Sequence, residues 1–380
     1  MTLRPVLTIA AALAGTSALA DVNVYTTRQP ELIQPVVDAF TEETGIAVNL
    51  AFVEDGLVER LQAEGQRSPA DLVMTVDIAN LSQIVDAGVT QPVESDVLME
   101  AVPANLRGEN GEWFGVTTRA RIVYASQERV ADGEITTYED LASDKWEGRI
   151  CTRSGLHDYN LALVSGIIAH HGEEYAKEWA QGVKDNLARK PEGNDRAQVK
   201  AIWAGECDIS LGNTYYMGKM LEDEEQTEWA NAVRITFPAF ENGGTHVNVS
   251  GVALTQSAPN KDEAVKFMEF LVSPQAQEVY AEANYEYPVL GGAQASELVQ
   301  GWGEFTADDT PLPTLADHRA AALRIMEEVN FDADRPSSER KARLHSESGP
   351  FSFHYRDLIN QAPAFSSSSS HSVSAASNAA

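Results

Sequence analysis

The sequence predicts an α/β fold, because short apolar runs alternate along it with longer amphipathic stretches. Three observations carry this expectation: a βαβαβα order over residues 21–88, a second strand-and-helix set over 148–213, and two extended runs, 112–130 and 245–255, that link them. Two architectures satisfy the pattern, two α/β lobes joined by crossing segments or one large α/β domain. Periodicity alone does not choose between them.

"DVNVYTT" (21–27) alternates as a strand, and "PELIQPVVDAFTEETG" (30–45) has helical spacing that stops at Gly45. "IAVNLAFV" (46–53) is a second strand and "GLVERLQAEGQRSP" (56–69) a helix. "ADLVMTV" (70–76) is a third, buried strand, followed by the helix "DIANLSQIVDAG" (77–88). That order implies a parallel sheet with helices on both faces. "EWFGVTTRARIVYASQERV" (112–130) gives two strand-like runs with no long helix between them. The second set is the strand "GRICTRS", the helices "NLALVSGIIAHHG" and "QVKAIWAGE", and the strand "CDISLGN". "THVNVSGVALT" (245–255) is another extended run, returning after that set.

The first twenty residues combine one cation, Arg4, an apolar centre from Val6 to Leu13 and small residues ending Ala18-Leu19-Ala20. This is the pattern of a secretory signal peptide, with an apolar core too short to span a bilayer. A soluble mature chain starting near Asp21, without a lipid anchor, is expected. About 310 ordered-looking residues then suit two domains of ordinary size. Losing Arg4 takes the formal net charge from −29 to −30. So acidic a surface argues against nucleic acid or an anionic membrane as partner, and equally serves solubility in salty surroundings. From 333 to 380, Ser, Ala and clustered cations replace the helical pattern, so a disordered Ser/Ala-rich extension is expected there.

The chain has two cysteines, Cys151 and Cys207. In an oxidising compartment an even count points to a bridge, here closing about 57 residues and stabilising the fold by roughly 4 kcal/mol in the chain-entropy account. Cys151 lies eight residues before Tyr159 and Cys207 eight before Tyr215, so a bridge holds together the strands leading to these tyrosines. "DISLGNTYYMGKM" (208–220) raises the question of function, since Tyr215 and Tyr216 stand side by side after a buried strand. Taken alone, such a pair is more often packing than a metal site, and it also suits sugar stacking.

Six segments, in order, decide between these: "SPADLVMTVDIANL", "TTRARIVYAS", "CTRSGLHDYNLALV", "GNTYYMGKM", "GTHVNVSGVAL" and "SPQAQEVYAEANYEYPV". Together, over roughly residues 22–332, they resemble the periplasmic ferric iron(III)-binding substrate-binding proteins of bacterial ABC importers, most closely the FutA-like branch. The resemblance implies a two-lobed, type II periplasmic binding protein fold, each lobe a mixed, mostly parallel sheet flanked by helices, joined by crossing hinge strands. The expected division is 21–117 with 245–290 for the first lobe and 118–244 with 291–332 for the second. It also implies Fe³⁺ as the cargo, Tyr159, Tyr215 and Tyr216 as its ligands, and an inner-membrane permease as the partner of a monomer in the periplasm. The chemistry agrees: Fe³⁺ is a hard cation that prefers oxygen, and a trivalent ion favours phenolate over phenol.

The first lobe departs from the family. Many relatives place His-Tyr shortly after the first strand, where this chain has Gln29-Pro30. Pro30 has no ligating atom and Gln29 is at best a weak neutral oxygen donor. A three-tyrosine mode completed by carbonate or another small anion is therefore expected, with Arg119, Arg28 and Gln29 as the anion-binding or neighbouring residues. Arg121, two residues on, is expected to point to the opposite strand face and is left outside the site. A hinge or surface ion pair for Arg119 and a solvated turn for Arg28 are the plainer alternatives.

Tyr25, Tyr124 and Tyr138 are expected to be structural. "HHGEEY" (170–175) reads as a solvated helix end, His246 as a strand residue, and "NVS" (248–250) carries no meaning as a glycosylation acceptor in a bacterial-type chain. The sequence contains no H-E-x-x-H, G-x-S-x-G, P-loop or G-x-G-x-x-G, so an enzyme is not expected. The competing function is a protein of the same fold that binds an oxyanion, a polyamine or a sugar.

Overall fold

The computed structural model describes residues 20–53 and 55–333. The signal peptide expected over 1–20 and the extension expected over 333–380 lie, but for their bounding residues, outside the described ones. In the first lobe β1 (Val22–Thr26), α1 (Gln34–Thr44), β2 (Val48–Phe52), α2 (Leu57–Glu64), β3 (Leu72–Thr75), α3 (Ile78–Asp86), β4 (Thr90–Gln91) and α4 (Asp96–Ala101) follow in order. The helices stop and start where the sequence provides for it. Gly45 closes α1 at φ 73°, a left-handed angle that glycine takes without strain. Asp77 caps α3 by accepting from the amides of Ala79 and Asn80.

β5 (Phe114–Ser126) then leaves this lobe. Where two strand-like runs are expected, there is one uninterrupted strand of 13 residues. Both of its halves find partners, which is why it does not break. Residues 114–120 pair antiparallel with β9 (Val247–Thr255), and 121–126 pair antiparallel with β7 (Ile209–Asn213) and β8 (Val233–Thr236). At Arg121 the strand thus passes from one sheet to the next, and the sheet path reads β2-β1-β3-β9-β5-β7-β6.

The second lobe adds β6 (Ile150–Cys151), α5 (Asp158–His171), α6 (Glu173–Asp185), α7 (Asp195–Trp203), α8 (Tyr215–Glu222) and α9 (Thr227–Asn231). α5 is buried continuously from Asn160 to Ile168, the mark of a central helix rather than a surface one. The chain returns through β9, α10 (Lys261–Leu271), α11 (Pro274–Asn284) and β10 (Tyr287–Pro288) to the first lobe, then ends with α12 (Glu297–Gln300), α13 (Leu312–Asp317) and α14 (Arg319–Glu328).

Separate apolar cores hold the lobes. Val24, Phe40, Leu72 and Phe267 belong to one, and Trp146, Leu161, Ile167 and Trp179 to the other. Within the segment 291–332 the allegiance changes. Leu312 and Leu315 of α13 pack with Val73, Ile78 and Leu81 of the first lobe, whereas Ala322, Ile325 and Met326 of α14 pack with the second. The sheets are mixed: β1 runs parallel to β2 and β3, β6 runs parallel to β7, and the crossing strands are antiparallel to their neighbours.

Candidate functional site

Cys151 and Cys207 form a disulfide, with Cα atoms 5.9 Å apart across a sequence separation of 56. It ties β6 to the entry of β7, the two strands that deliver the tyrosines. After β6 the chain turns into α5, whose N-cap is His157: its Nδ1 accepts from the amide of Tyr159 at 3.2 Å. After β7, Thr214 precedes α8, which begins with Tyr215 and Tyr216. All three tyrosines therefore sit in the first turns of helices, where free amides and the helix dipole favour negative charge.

They also meet. The Tyr159 and Tyr215 hydroxyls are 3.2 Å apart, and the rings of Tyr215 and Tyr216 lie 4.3 Å apart between centroids. The phenols line a cleft of about 470 Å³ together with Arg28, Gln29, Arg119, Arg153, His157 and Glu286. Burial, reinforced by the neighbouring phenols, pushes the Tyr215 hydroxyl well above its ordinary range. Tyr216 is raised too, by burial and then by Tyr159. The His157 imidazole is pulled down to about 4, by burial and then by the Arg153 charge, so it caps α5 as a neutral ring.

The cations divide sharply. Arg28 is buried, neither a solvated turn residue nor a free charge: Glu286 takes its Nη1 at 3.2 Å and its Nη2 at 2.6 Å, and Ser250 accepts from Nη1 at 2.7 Å. Arg119 is equally buried but forms no ion pair among the described residues. Its hydrogen bond is a long one of 3.4 Å to Ser250 Oγ, and its Nη2 is buried without a partner. Gln29 is exposed at the start of a short 3-10 turn and reaches the same cleft.

Arg121 corrects the sequence reading. Alternation with period two puts residues 119 and 121 on one strand face, and both guanidiniums lie about as close to the Tyr159 ring, at 6.0 and 5.8 Å. Arg121 is held behind that ring by Asp195 at 2.8 Å, Asn160 at 2.7 Å and Asn213 at 3.1 Å. Arg153, also missed, shares Asp195 at 3.2 Å and stands 5.1 Å from the same ring. The carboxylate of Asp195 thus braces the middle of β5, the end of β7 and the turn between β6 and α5 at once. No local signal marks it, since its partners lie 42 and 74 residues away.

The other tyrosines serve the frame: Tyr124 Oη donates to the Asn213 carbonyl at 2.7 Å and Tyr138 Oη to the Arg121 carbonyl at 2.6 Å. Tyr25 donates to Glu64 at 3.0 Å. His170 pairs with Asp308 and His171 with Glu139, on separate sides of the helix end. His246 is buried just ahead of β9. Among the described residues no three His, Cys, Asp or Glu side chains gather as a metal site. The oxygens of three phenols line this cleft together.

Residues 24–278 match the family described as bacterial extracellular solute-binding protein. Iron uptake protein A1 of Synechocystis is 45% identical over 314 residues, 82% of this chain and 87% of that protein. The apo ferric ion-binding protein A of Pasteurella haemolytica superposes with a TM-score of 0.80 at 48% identity, over 83% of this chain and 99% of that one. The Trichodesmium protein IdiA (FutA), solved in complex with iron and citrate, gives 0.78 at 41% identity, over 82% and 99%.

Proposed function

The chain belongs to the bacterial extracellular solute-binding protein family, and from that premise we propose that it captures ferric iron in its interlobe cleft as the binding component of an ABC importer. Its relatives bear the names of iron uptake and ferric-ion-binding proteins, and like them it is a carrier rather than an enzyme. The two-lobed type II architecture that these relatives share supports capture between lobes and delivery to a membrane permease. The signal-peptide pattern and the family's extracellular description support the periplasm as its place of action.

The observation that carries the proposal is the convergence of three phenols, with the hydroxyls of Tyr159 and Tyr215 already 3.2 Å apart. Three phenolates so close would repel one another; in the absence of the ion burial keeps Tyr215 and Tyr216 protonated. A trivalent cation reverses the balance, displacing the protons and drawing the oxygens together. Oxygen ligation of this kind suits a hard ion and, both cysteines being bridged, offers softer metals no thiolate.

Arg119 is the residue of choice for a small anion such as carbonate that would complete the coordination, because its buried guanidinium forms no ion pair among the described residues and its Nη2 has no partner. Arg28 has Glu286 and is better suited to shaping the cleft floor.

A visible absorption titration of the mature protein with ferric citrate in bicarbonate buffer tests this. An orange-to-red tyrosinate-to-iron band should saturate at one ion per chain, vanish in the Tyr215→Phe/Tyr216→Phe double variant, and weaken without bicarbonate in a manner that Arg119→Gln abolishes. A colourless, non-saturating titration would move the ligand to the oxyanion or organic class.

A further inference from the structure

Helix α8 carries Tyr215 and Tyr216 in its first turn and a glycine, Gly218, in its interior. Glycine is a poorer helix former than alanine, and Gly218 has no left-handed backbone angle to require it. Space is the remaining reason. A Cβ at 218 would come within 2.2 Å of ring atoms of Tyr285, which belongs to the other lobe. Tyr285 is itself unusual: it closes α11 at φ 59°, a left-handed angle that residues with side chains rarely adopt.

Polar contacts fix the same seat. Lys219 Nζ donates to the Ala283 carbonyl at 2.6 Å, and Tyr285 Oη donates to Glu222 Oε1 at 2.7 Å. The next residue along, Glu286, turns the other way and takes the Arg28 guanidinium on the cleft floor. One short segment of the first lobe therefore touches the tyrosine-bearing helix on its outer side and the binding cleft on its inner side.

We infer that Gly218 and Tyr285 form an interlobe seat that positions α8, and with it Tyr215 and Tyr216, for the bound ion. The inference rests on the ferric function proposed above and adds two positioning residues to it. Neither touches the ion; they act by setting where the two phenols stand relative to the first lobe. Glycine is kept at 218 in spite of its poor helix propensity because only it lets the ring come down.

A double-mutant cycle tests the seat, using the mature protein, Gly218→Ala, Tyr285→Ala and the pair. Ferric affinity is measured by chelator competition from ferric citrate in bicarbonate buffer. Gly218→Ala should weaken binding by about tenfold or more while thermal stability is retained, since alanine suits a helix. In the Tyr285→Ala background the same substitution should change affinity little, because the ring it collides with is gone. Unchanged affinity in Gly218→Ala, or an equal loss in both backgrounds, would overturn the inference.

Small-angle scattering on the iron-free proteins supplies a readout that does not depend on the ion. Gly218→Ala should enlarge the radius of gyration, and only while Tyr285 is present. A parent protein that binds no iron would sink the ferric function. The seat would then stand on the scattering cycle alone and fall if the four radii agree.

Discussion

Tyr215 is buried with its hydroxyl 3.2 Å from that of Tyr159, and an oxygen so placed does not give up its proton to water at neutral pH. The consequence is a sign for the pH dependence of binding. Burial raises the hydroxyls of Tyr215 and Tyr216, so in the ion-free protein both hold their protons throughout the neutral range. Each phenol that ligates must release one, and affinity rises with pH and falls as pH drops, with no plateau near neutrality. The two buried phenols alone should make the dependence approach about a hundredfold per pH unit at fixed free ferric ion. Competition against a chelator of known proton-corrected strength, between about pH 8 and 6, measures it. Affinity independent of pH would rule out tyrosinate ligation.

At the scale of elements, the site is an agreement between two strand-to-helix turns. β6 feeds α5 and Tyr159, β7 feeds α8 and Tyr215, and the disulfide joins the end of β6 to the entry of β7. Replacing Cys151 and Cys207 with alanine should cost about 4 kcal/mol, read from urea unfolding of the iron-free protein. Ferric affinity should fall as well, because the turns lose their fixed spacing. Lost stability with intact affinity would instead confine the bridge to the fold, leaving the Asp195 brace with Arg121 and Arg153 to hold the turns. That brace is buried and shared, so each of its charges is balanced only while the others are present.

For the whole molecule the question is how two lobes stay closed over one ion. Besides the seat at Tyr285, a hydrogen bond crosses the cleft beside the tyrosines: Asn80 of α3 donates to Asp158 at 3.0 Å. Asp158 is also held by Arg319 at 2.6 Å, at the start of the helix that follows the first-lobe leucines of α13. Tyr159 is its neighbour in sequence, so the same turn carries a proposed ligand and a cross-lobe contact. Asp158→Ala should speed ferric release by about three- to tenfold, as loss of one partly buried polar link would. The colour of the complex should be kept, because Asp158 is not a ligand. Stopped-flow extraction by a chelator reads the rate; an unchanged rate would mean that the lobes close without this link.

Much of this was legible along the chain, because its signals are local. A strand ending at Asn213 followed by two tyrosines, and the helix of "NLALVSGIIAHHG", each show themselves within a dozen or so residues, and two cysteines make an even pair. The alternation of apolar runs determined the α/β class, since burial of one sheet face or helix stripe is a nearest-neighbour matter of period. The continuity of β5 was not legible, because it depends on β9 for one half and β7 for the other. The state of each arginine was not legible either. Arg28 is neutralised by a glutamate 258 residues away and Arg119 is left without one, although both look alike as basic residues near an expected cleft. Charge and position in the chain are properties of a residue; whether that charge is paired, and whether a glycine is there to admit a ring from the other lobe, depends on what folding brings within a few ångströms, where electrostatic and packing energies are decided.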